Sequence, residues 1–163
     1  MTASPSTFAH AYGRFLPPIQ AKCRRLLGAS PAAEDVAQEV FLRFWRSGID
    51  GDARTVMAWL YRTCTRLAID VLRERRRVDL GEPSPEDGPC AVDLAACAEA
   101  RAAIASLCGV VPEDELATVV LVRVDGLSQP EAAAVLGVNE RTLRRTLARF
   151  DERMIPLREE LSR

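Results

Sequence analysis

Four arginines near the end of the chain share one face of a segment that is typical of a DNA-reading helix pair. In residues 128–150, SQPEAAAVLGVNERTLRRTLARF, Ser128 and Glu131 have the spacing of a helix-starting capping box. Gly137 suits a tight turn, and Asn139 is placed to cap a second helix with its apolar residues on one side. The other side carries Arg141, Arg144, Arg145 and Arg149, with Thr142 beside them in sequence. A duplex major groove accepts such a helix, so the pattern predicts a helix-turn-helix; the alternative is a solvated amphipathic helix in an ordinary bundle.

A second basic surface is predicted on an earlier helix, at about residues 55–77. Its inward positions are apolar, and its sequence ends in RERRR. The side chains that can line a phosphate backbone are Arg62, Arg66, Arg73, Arg75, Arg76 and Arg77. Trp59 and Tyr61 can stack on unpaired bases, although core packing is the favoured role for Trp59.

Two further helices are predicted before this one. The first, at about 6–27, has an apolar stripe at Phe8, Tyr12, Phe15, Ile19, Cys23 and Leu26. Pro17 and Pro18 lie inside it, and because proline removes backbone donors and clashes with the preceding turn, a kink or a break is expected there.

The second helix runs from Pro31 to about Arg46, with Ser30 as its cap. Its buried stripe is Val36, Val40, Phe41 and Phe44. The side chains left for solvent or a partner are Asp35, Gln38, Glu39 and Arg43. A polar loop with two glycines follows at 47–54.

The charge of the chain is unevenly distributed, although the net charge is only −1. Residues 1–78 carry 13 Lys+Arg against 7 Asp+Glu, whereas residues 79–98 carry 5 acids and no base. Residues 79–92, rich in proline, glycine and acid, are predicted to be a flexible acidic linker. The fold class is therefore all-α, with small helical domains at 1–78 and 93–163; in the second, helices at about 93–108 and 113–124 precede the helix-turn-helix.

The five cysteines predict neither a metal site nor a disulfide framework. No two of them form a C-x-x-C pair, and the single histidine lies far from them in sequence. With no signal peptide and no membrane-spanning apolar run, reduced thiols in the cytoplasm are expected, mostly as small core residues. A redox role for Cys90 and Cys97 stays open.

Three strings in order carry a family resemblance: AEDVAQEVFLRFWRS at 33–47, AWLYRTCTRLAIDVLRERRR at 58–77, and DGLSQPEAAAVLGVNERTLRRTLARF at 125–150. Together they resemble bacterial RNA polymerase sigma factors of the extracytoplasmic-function (ECF) subfamily. The resemblance implies a front domain like sigma region two, which recognises and melts the minus-ten promoter element. It also implies a rear domain like sigma region four, which reads the minus-thirty-five element.

The resemblance also implies roles for particular residues. Asp35, Gln38 and Glu39 would face the clamp helices of the polymerase largest subunit. The third helix and the 47–54 loop would contact the nontemplate strand with one base flipped out, while the arginine face of 141–149 would read duplex DNA. The acidic linker would thread the cleft through which nascent RNA later runs.

The chain departs from the family pattern at several positions. Family members often have Asn at position 66, small residues at 145 and 150 and a basic residue at 151, where this chain has Arg66, Arg145, Phe150 and Asp151. We therefore expect an altered promoter preference. The acidic balance of the rear domain also predicts weak DNA affinity without polymerase.

The sequence thus predicts a sigma factor rather than an enzyme, needing no cofactor or metal. Its expected partners are core RNA polymerase, promoter DNA and a separate anti-sigma protein, with no small-molecule substrate. Two alternatives remain: a sigma-like protein that sequesters an anti-sigma factor or polymerase, and a helix-turn-helix repressor that does not need polymerase.

Overall fold

The computed structural model describes residues 5–78 and 94–161, and these residues are helical with no β-strand, as predicted. The front part of the chain contains α1 (Pro5–Leu27), α2 (Pro31–Ser47) and α3 (Ala53–Val78). The rear part contains α4 (Leu94–Leu107), α5 (Glu113–Val119), a π-helical turn (Val120–Val124), α6 (Gln129–Leu136) and α7 (Glu140–Leu161). The predicted linker lies outside the described residues.

The three front helices pack mutually around an apolar core. Phe15, Ile19, Cys23 and Leu26 of α1 are buried as predicted, but Tyr12 is 40% exposed. The Tyr12 ring instead lies with its edge against Phe41, at a centroid distance of 5.0 Å. The α1 stripe is therefore narrower at its start than the periodicity indicated.

Of the kink or break predicted in α1, the break is absent, because a single helix continues through Pro17 and Pro18. Pro17 is exposed, so its ring lies away from the core. The buried residues before and after the prolines pack against both α2 and α3, and this tertiary packing outweighs the local cost of the missing donors.

The second helix begins as predicted, although its cap differs. Ser30 has the extended conformation of a capping residue, but its hydroxyl donates to the Leu27 carbonyl at 3.0 Å and makes no capping bond. The fixed φ of Pro31 suits a helix start on its own. The predicted stripe of Val36, Val40, Phe41 and Phe44 is buried.

The local signals of the helix-turn-helix are confirmed. Glu131 accepts the Ser128 backbone N–H at 2.9 Å, and Gly137 ends α6 with a φ of 70°. Asn139 Oδ1 accepts the Thr142 backbone N–H at 2.8 Å, which caps α7. Leu143 and Phe150 are buried on the inner side of α7, so its arginines are on the outer side.

The front and rear parts pack against each other. Ile104, Cys108, Val111 and Leu116 of the rear part belong to the same buried apolar cluster as the front core. Conversely, two residues of the front part, Ala58 and Tyr61 of α3, pack against a buried cluster of the rear part. This cluster consists of Leu121, Ala132, Ala133, Val135 and Leu143. The basic helix α3 therefore faces the rear part.

The thiols whose side chains are described, those of Cys23, Cys64 and Cys108, are free and buried, as expected for small core residues. Cys90 and the side chain of Cys97 lie outside the described residues, so their redox hypothesis is untested. Within residues 5–78 and 94–161, no helix has the length and apolarity needed to cross a membrane, and no group of three or more ligating side chains could hold a metal ion.

Candidate nucleic-acid interface

The outer face of α7 is an open basic surface. Arg141, Arg144 and Arg145 are exposed, and in the described part of the chain they take part in no salt bridge. Arg149 stays 64% exposed while its guanidinium lies 3.8 Å from Glu115. Thr142 is exposed as well. This face has the shape and charge that a major groove or phosphate backbone requires.

Asp151, one of the departures from the family pattern, has a local partner. Its carboxylate accepts a hydrogen bond from Arg123 at 2.6 Å, and the Arg123 guanidinium lies 5.5 Å from the centre of the Phe150 ring. The acid and the aromatic ring together hold Arg123 at the edge of the arginine face. The negative charge of Asp151 is thereby partly compensated.

The arginines of α3 are placed very differently, because three of them bind or pair with oxygen atoms of the rear part. Arg73 donates to Glu113 at 3.0 Å, and Arg66 lies 3.7 Å from Asp114 and 4.0 Å from Glu113. Arg76 donates to the backbone carbonyls of Ser106 and Cys108. These guanidiniums are occupied by protein oxygens.

The other three predicted arginines of α3 do not form one surface with them. Arg62 is half-buried beside Gly137 of the helix-turn-helix turn, where a Cβ on that glycine would lie 3.5 Å from its Nη1. Arg75 donates to the Ser30 hydroxyl at 3.3 Å. Arg77 is 80% exposed and lies 3.6 Å from Glu74. All six arginines lie on α3, but they do not share one open surface.

Neither aromatic residue of α3 lies on an open stacking surface. Trp59 is half-buried, and its ring centroid lies 5.9 Å from that of Phe44, in agreement with the favoured core role. Tyr61 is half-buried under the ammonium group of Lys22, which lies 5.1 Å from the ring centre. Burial and the nearby Asp125 carboxylate raise the pKa of the Tyr61 hydroxyl.

The sequence analysis missed a buried ionic group between the two parts. Lys22 of α1 is fully buried and forms a salt bridge with Asp125, whose side chain is also fully buried. Arg25 donates to the second oxygen of the same carboxylate at 2.5 Å. The sequence contains one indication of this ionic group. Lys22 is the only lysine, and it lies in the apolar stripe of α1, seven residues after Phe15 and one before Cys23.

Two buried thiols adjoin this ionic group. The sulfur atoms of Cys23 and Cys64 are 3.3 Å apart and connect α1 to α3. The Cys64 thiol lowers the pKa of Cys23 by hydrogen bonding, and the Lys22 ammonium acts in the same direction. The same hydrogen bond, together with burial, raises the pKa of Cys64.

The residues predicted to bind polymerase lie on the solvent side of α2. Asp35 and Gln38 are exposed, and Glu39 is partly exposed while accepting a hydrogen bond from Arg43 at 2.7 Å. Gln38 and Glu39 follow Asp35 by three and four residues, so the three side chains are neighbours on the helix surface. They form one row opposite the buried stripe of α2. The structure leaves this row accessible.

Two family models match separate stretches of the chain. Residues 11–78 match the family model described as Sigma-70 region 2, and residues 111–158 match the model described as Homeodomain-like domain. Over 129 residues the chain is 30% identical to the RNA polymerase sigma factor CnrH of Cupriavidus metallidurans, covering 71% of this chain and 68% of CnrH. Over 136 residues it is 36% identical to the ECF RNA polymerase sigma factor SigE of Mycolicibacterium smegmatis, covering 77% of this chain and 51% of SigE.

A solved structure, that of CnrH in complex with the cytosolic domain of CnrY, shares the fold. The TM-score is 0.57 at 23% sequence identity, covering 96% of this chain and 90% of the matched chain. The fold and site thus define a helical transcription protein with a region-two bundle and a helix-turn-helix. The chain belongs to the ECF subfamily of RNA polymerase sigma factors, although it spans only about half the length of SigE.

Proposed function

We propose that the chain binds core RNA polymerase and directs promoter-specific initiation of transcription. The observation that carries the proposal is the presence of two separate exposed surfaces on one sigma-family chain. One is the basic face of α7, and the other is the row of Asp35, Gln38 and Glu39 on α2. A repressor would need the first surface but has no use for the second.

In this proposal α7 reads the minus-thirty-five element. Arg144 and Arg145 lie on the exposed face, and guanidinium groups bind guanine edges bidentately or neutralise phosphates. Arg141, Arg149 and Thr142 add backbone contacts that fix the position of the helix on the duplex. The rear part has an acidic balance, so duplex binding depends on attachment to polymerase.

The front part acts on the minus-ten element. The arginines of α3 supply positive charge for the displaced strand, namely Arg62, Arg66, Arg73, Arg75, Arg76 and Arg77. Of these, Arg66, Arg73 and Arg76 must leave their contacts with the rear part to bind it. Binding a single strand offsets part of the cost of separating and unstacking the bases. The protein thus contributes specificity and strand capture to an enzyme, the polymerase, and needs no catalytic group of its own.

The row of Asp35, Gln38 and Glu39 docks on core polymerase. Because core polymerase is in the cytoplasm, the chain acts there. Control by a separate protein is part of the proposal, because the similar CnrH was solved in a complex with the cytosolic domain of CnrY. For this chain we infer an anti-sigma protein as the corresponding partner.

Run-off transcription tests the proposal. Purified chain is added to core polymerase and a promoter library, and transcripts are mapped alongside a pull-down of polymerase. Discrete transcripts that require the chain are expected. Polymerase binding without transcripts would favour a sequestering protein, and tight duplex binding without polymerase would favour a repressor; either outcome would overturn the proposal.

A further inference from the structure

Two buried thiols of the front part lie close enough to react with each other. The sulfur atoms of Cys23 on α1 and Cys64 on α3 are 3.3 Å apart, and neither residue has exposed surface. The two sulfurs of a disulfide are about 2.05 Å apart, so a small approach of two helices that already pack together brings them to bonding distance. The proposed function uses neither thiol.

The surroundings of the pair favour reaction at Cys23. The hydrogen bond from the Cys64 thiol and the nearby Lys22 ammonium group lower the pKa of Cys23, against the effect of burial. Because the thiolate is the reactive form of cysteine, Cys23 is the first of the two to be oxidised. The same hydrogen bond and burial raise the pKa of Cys64, which stays a thiol beside it. An activated sulfur and a second sulfur thus lie in contact.

Burial also limits which reagents the pair accepts. Among the described residues no group of three or more ligating side chains could hold a metal ion, so the two sulfurs lack the further ligands of a zinc site. A bulky oxidant such as glutathione disulfide has no route to a buried sulfur, whereas hydrogen peroxide is little larger than water. Cys108 is buried too, but burial raises its pKa and it pairs with no other described thiol. The pair therefore suits a small peroxide.

We propose that Cys23 and Cys64 form a reversible disulfide, with hydrogen peroxide as the oxidant and a dithiol as the reductant. The Cys23 thiolate attacks one peroxide oxygen and breaks the O–O bond, which gives a sulfenic acid and a hydroxide that takes up the proton released by Cys23. The Cys64 sulfur then attacks the sulfenic sulfur, and its proton leaves with the displaced hydroxide as water. Two thiols and one peroxide give one disulfide and two waters, and two electrons pass from sulfur to oxygen.

The bond joins α1 covalently to α3 through residues 41 positions apart. A crosslink of this span restricts the unfolded chain and so stabilises the folded front part. The cytoplasm normally keeps thiols reduced, so the bond forms under peroxide and is reduced again afterwards. The site lies wholly within the front part and does not depend on the proposed function.

Peroxide treatment of the full chain tests the site. The reduced protein is treated with hydrogen peroxide, once folded and once in urea, and remaining thiols are alkylated under denaturing conditions. Cleavage after glutamate places Cys23 in residues 1–34 and Cys64 in residues 40–74, and mass spectrometry identifies linked peptides. Cys64→Ala lacks the pair, and Cys108→Ala is the matched control because Cys108 is a buried cysteine outside it.

We expect the folded chain to give the linkage between residues 1–34 and 40–74, and a dithiol to reverse it. Oxidation should raise the Tm by about 5–10 °C, because the crosslink restricts the unfolded state. Cys108→Ala should form the linkage and show the same rise, whereas Cys64→Ala should show neither. In urea the yield of this linkage should fall, since the cysteines then pair without the guidance of the fold.

Recovery of Cys23 and Cys64 as alkylated thiols after peroxide treatment of the folded chain would overturn the proposal, as would a linkage that forms only in urea. An equal rise of the Tm in Cys64→Ala would also overturn it, because the stabilisation would then come from other oxidised side chains. If Cys64→Ala loses helix content by circular dichroism, the mapped linkage in the unmodified chain and its reversal by dithiol decide.

Discussion

The arginines of α3 and those of α7 occupy similar amphipathic helices but meet opposite surroundings. Arg66 and Arg73 face carboxylates of α5, and Arg76 donates to backbone carbonyls. Arg141, Arg144 and Arg145 face solvent and, in the described residues, form no ion pair. The same side chain is thus held by protein on one helix and left available on the other. A basic face predicts what a helix can bind, whereas the opposing surface decides whether it is free to do so.

The largest expected effect contrasts the buried ionic group with an exposed one. Lys22→Met leaves the buried Asp125 with Arg25 alone, and we expect the free energy of unfolding to fall by about 3 kcal/mol. Arg43→Ala breaks the exposed Glu39 pair on α2 and should cost about 0.5 kcal/mol. Urea unfolding followed by circular dichroism measures both. Equal losses in the two variants would show that the buried group does not fasten the two parts together.

The second prediction concerns the open arginines of α7. Arg144→Ala or Arg145→Ala should weaken use of the minus-thirty-five element by about 1–3 kcal/mol if the lost contact is bidentate to guanine, and should relax selectivity at one position. Arg24→Ala, at an exposed position of α1, is the control for the loss of one positive charge. Run-off transcription from a randomised promoter set measures the change. Unchanged selectivity in both α7 variants would remove that face from promoter recognition.

The third prediction separates docking from helix stability on α2. Glu39→Ala should weaken binding to core polymerase by about 1–2 kcal/mol while leaving the helical signal intact. Arg43→Ala breaks the same ion pair from the other side, so it controls for any effect on α2 itself. A polymerase titration with labelled chain measures both affinities. Equal weakening by the two substitutions would indicate loss of the ion pair rather than of a docking contact.

The smallest expected effect lies at the start of the recognition helix. Asn139→Ala removes the side-chain acceptor of the Thr142 N–H and should lower the free energy of unfolding by about 1 kcal/mol. Asn139→Ser restores an acceptor and should recover most of the loss. Thermal unfolding compares the variants; a loss with serine as large as that with alanine would argue against the cap.

Local chemistry made much of this fold predictable from sequence. The capping acceptor Asn139, the positive φ at Gly137 and the buried stripe of α2 are short-range features, and the structure confirms them. The break considered at the prolines of α1 is absent because packing against α2 and α3 overrides a local helix-breaking preference. The helix propensity of a segment is a weak guide to its structure where packing against neighbouring helices contributes more stability.

The partners of α3 were not predictable in the same way. The Lys22–Asp125 contact joins residues 103 positions apart, and the Arg73–Glu113 contact spans 40. Hydrophobic periodicity and charge counts say which face is basic but carry no information on which distant segment covers it. Only the placement of Lys22, the single lysine, on an apolar stripe pointed toward a buried ionic contact.

The most direct test of the contrast between covered and open arginines is the distance between the two parts, in the free chain and on polymerase. Dyes carried by unnatural amino acids at the exposed positions Arg46 and Glu152 report this distance by single-molecule energy transfer. We expect one short-distance population in the free chain and a shift to longer distances when core polymerase is added. An unchanged distribution on polymerase binding, or widely separated parts in the free chain, would contradict the account.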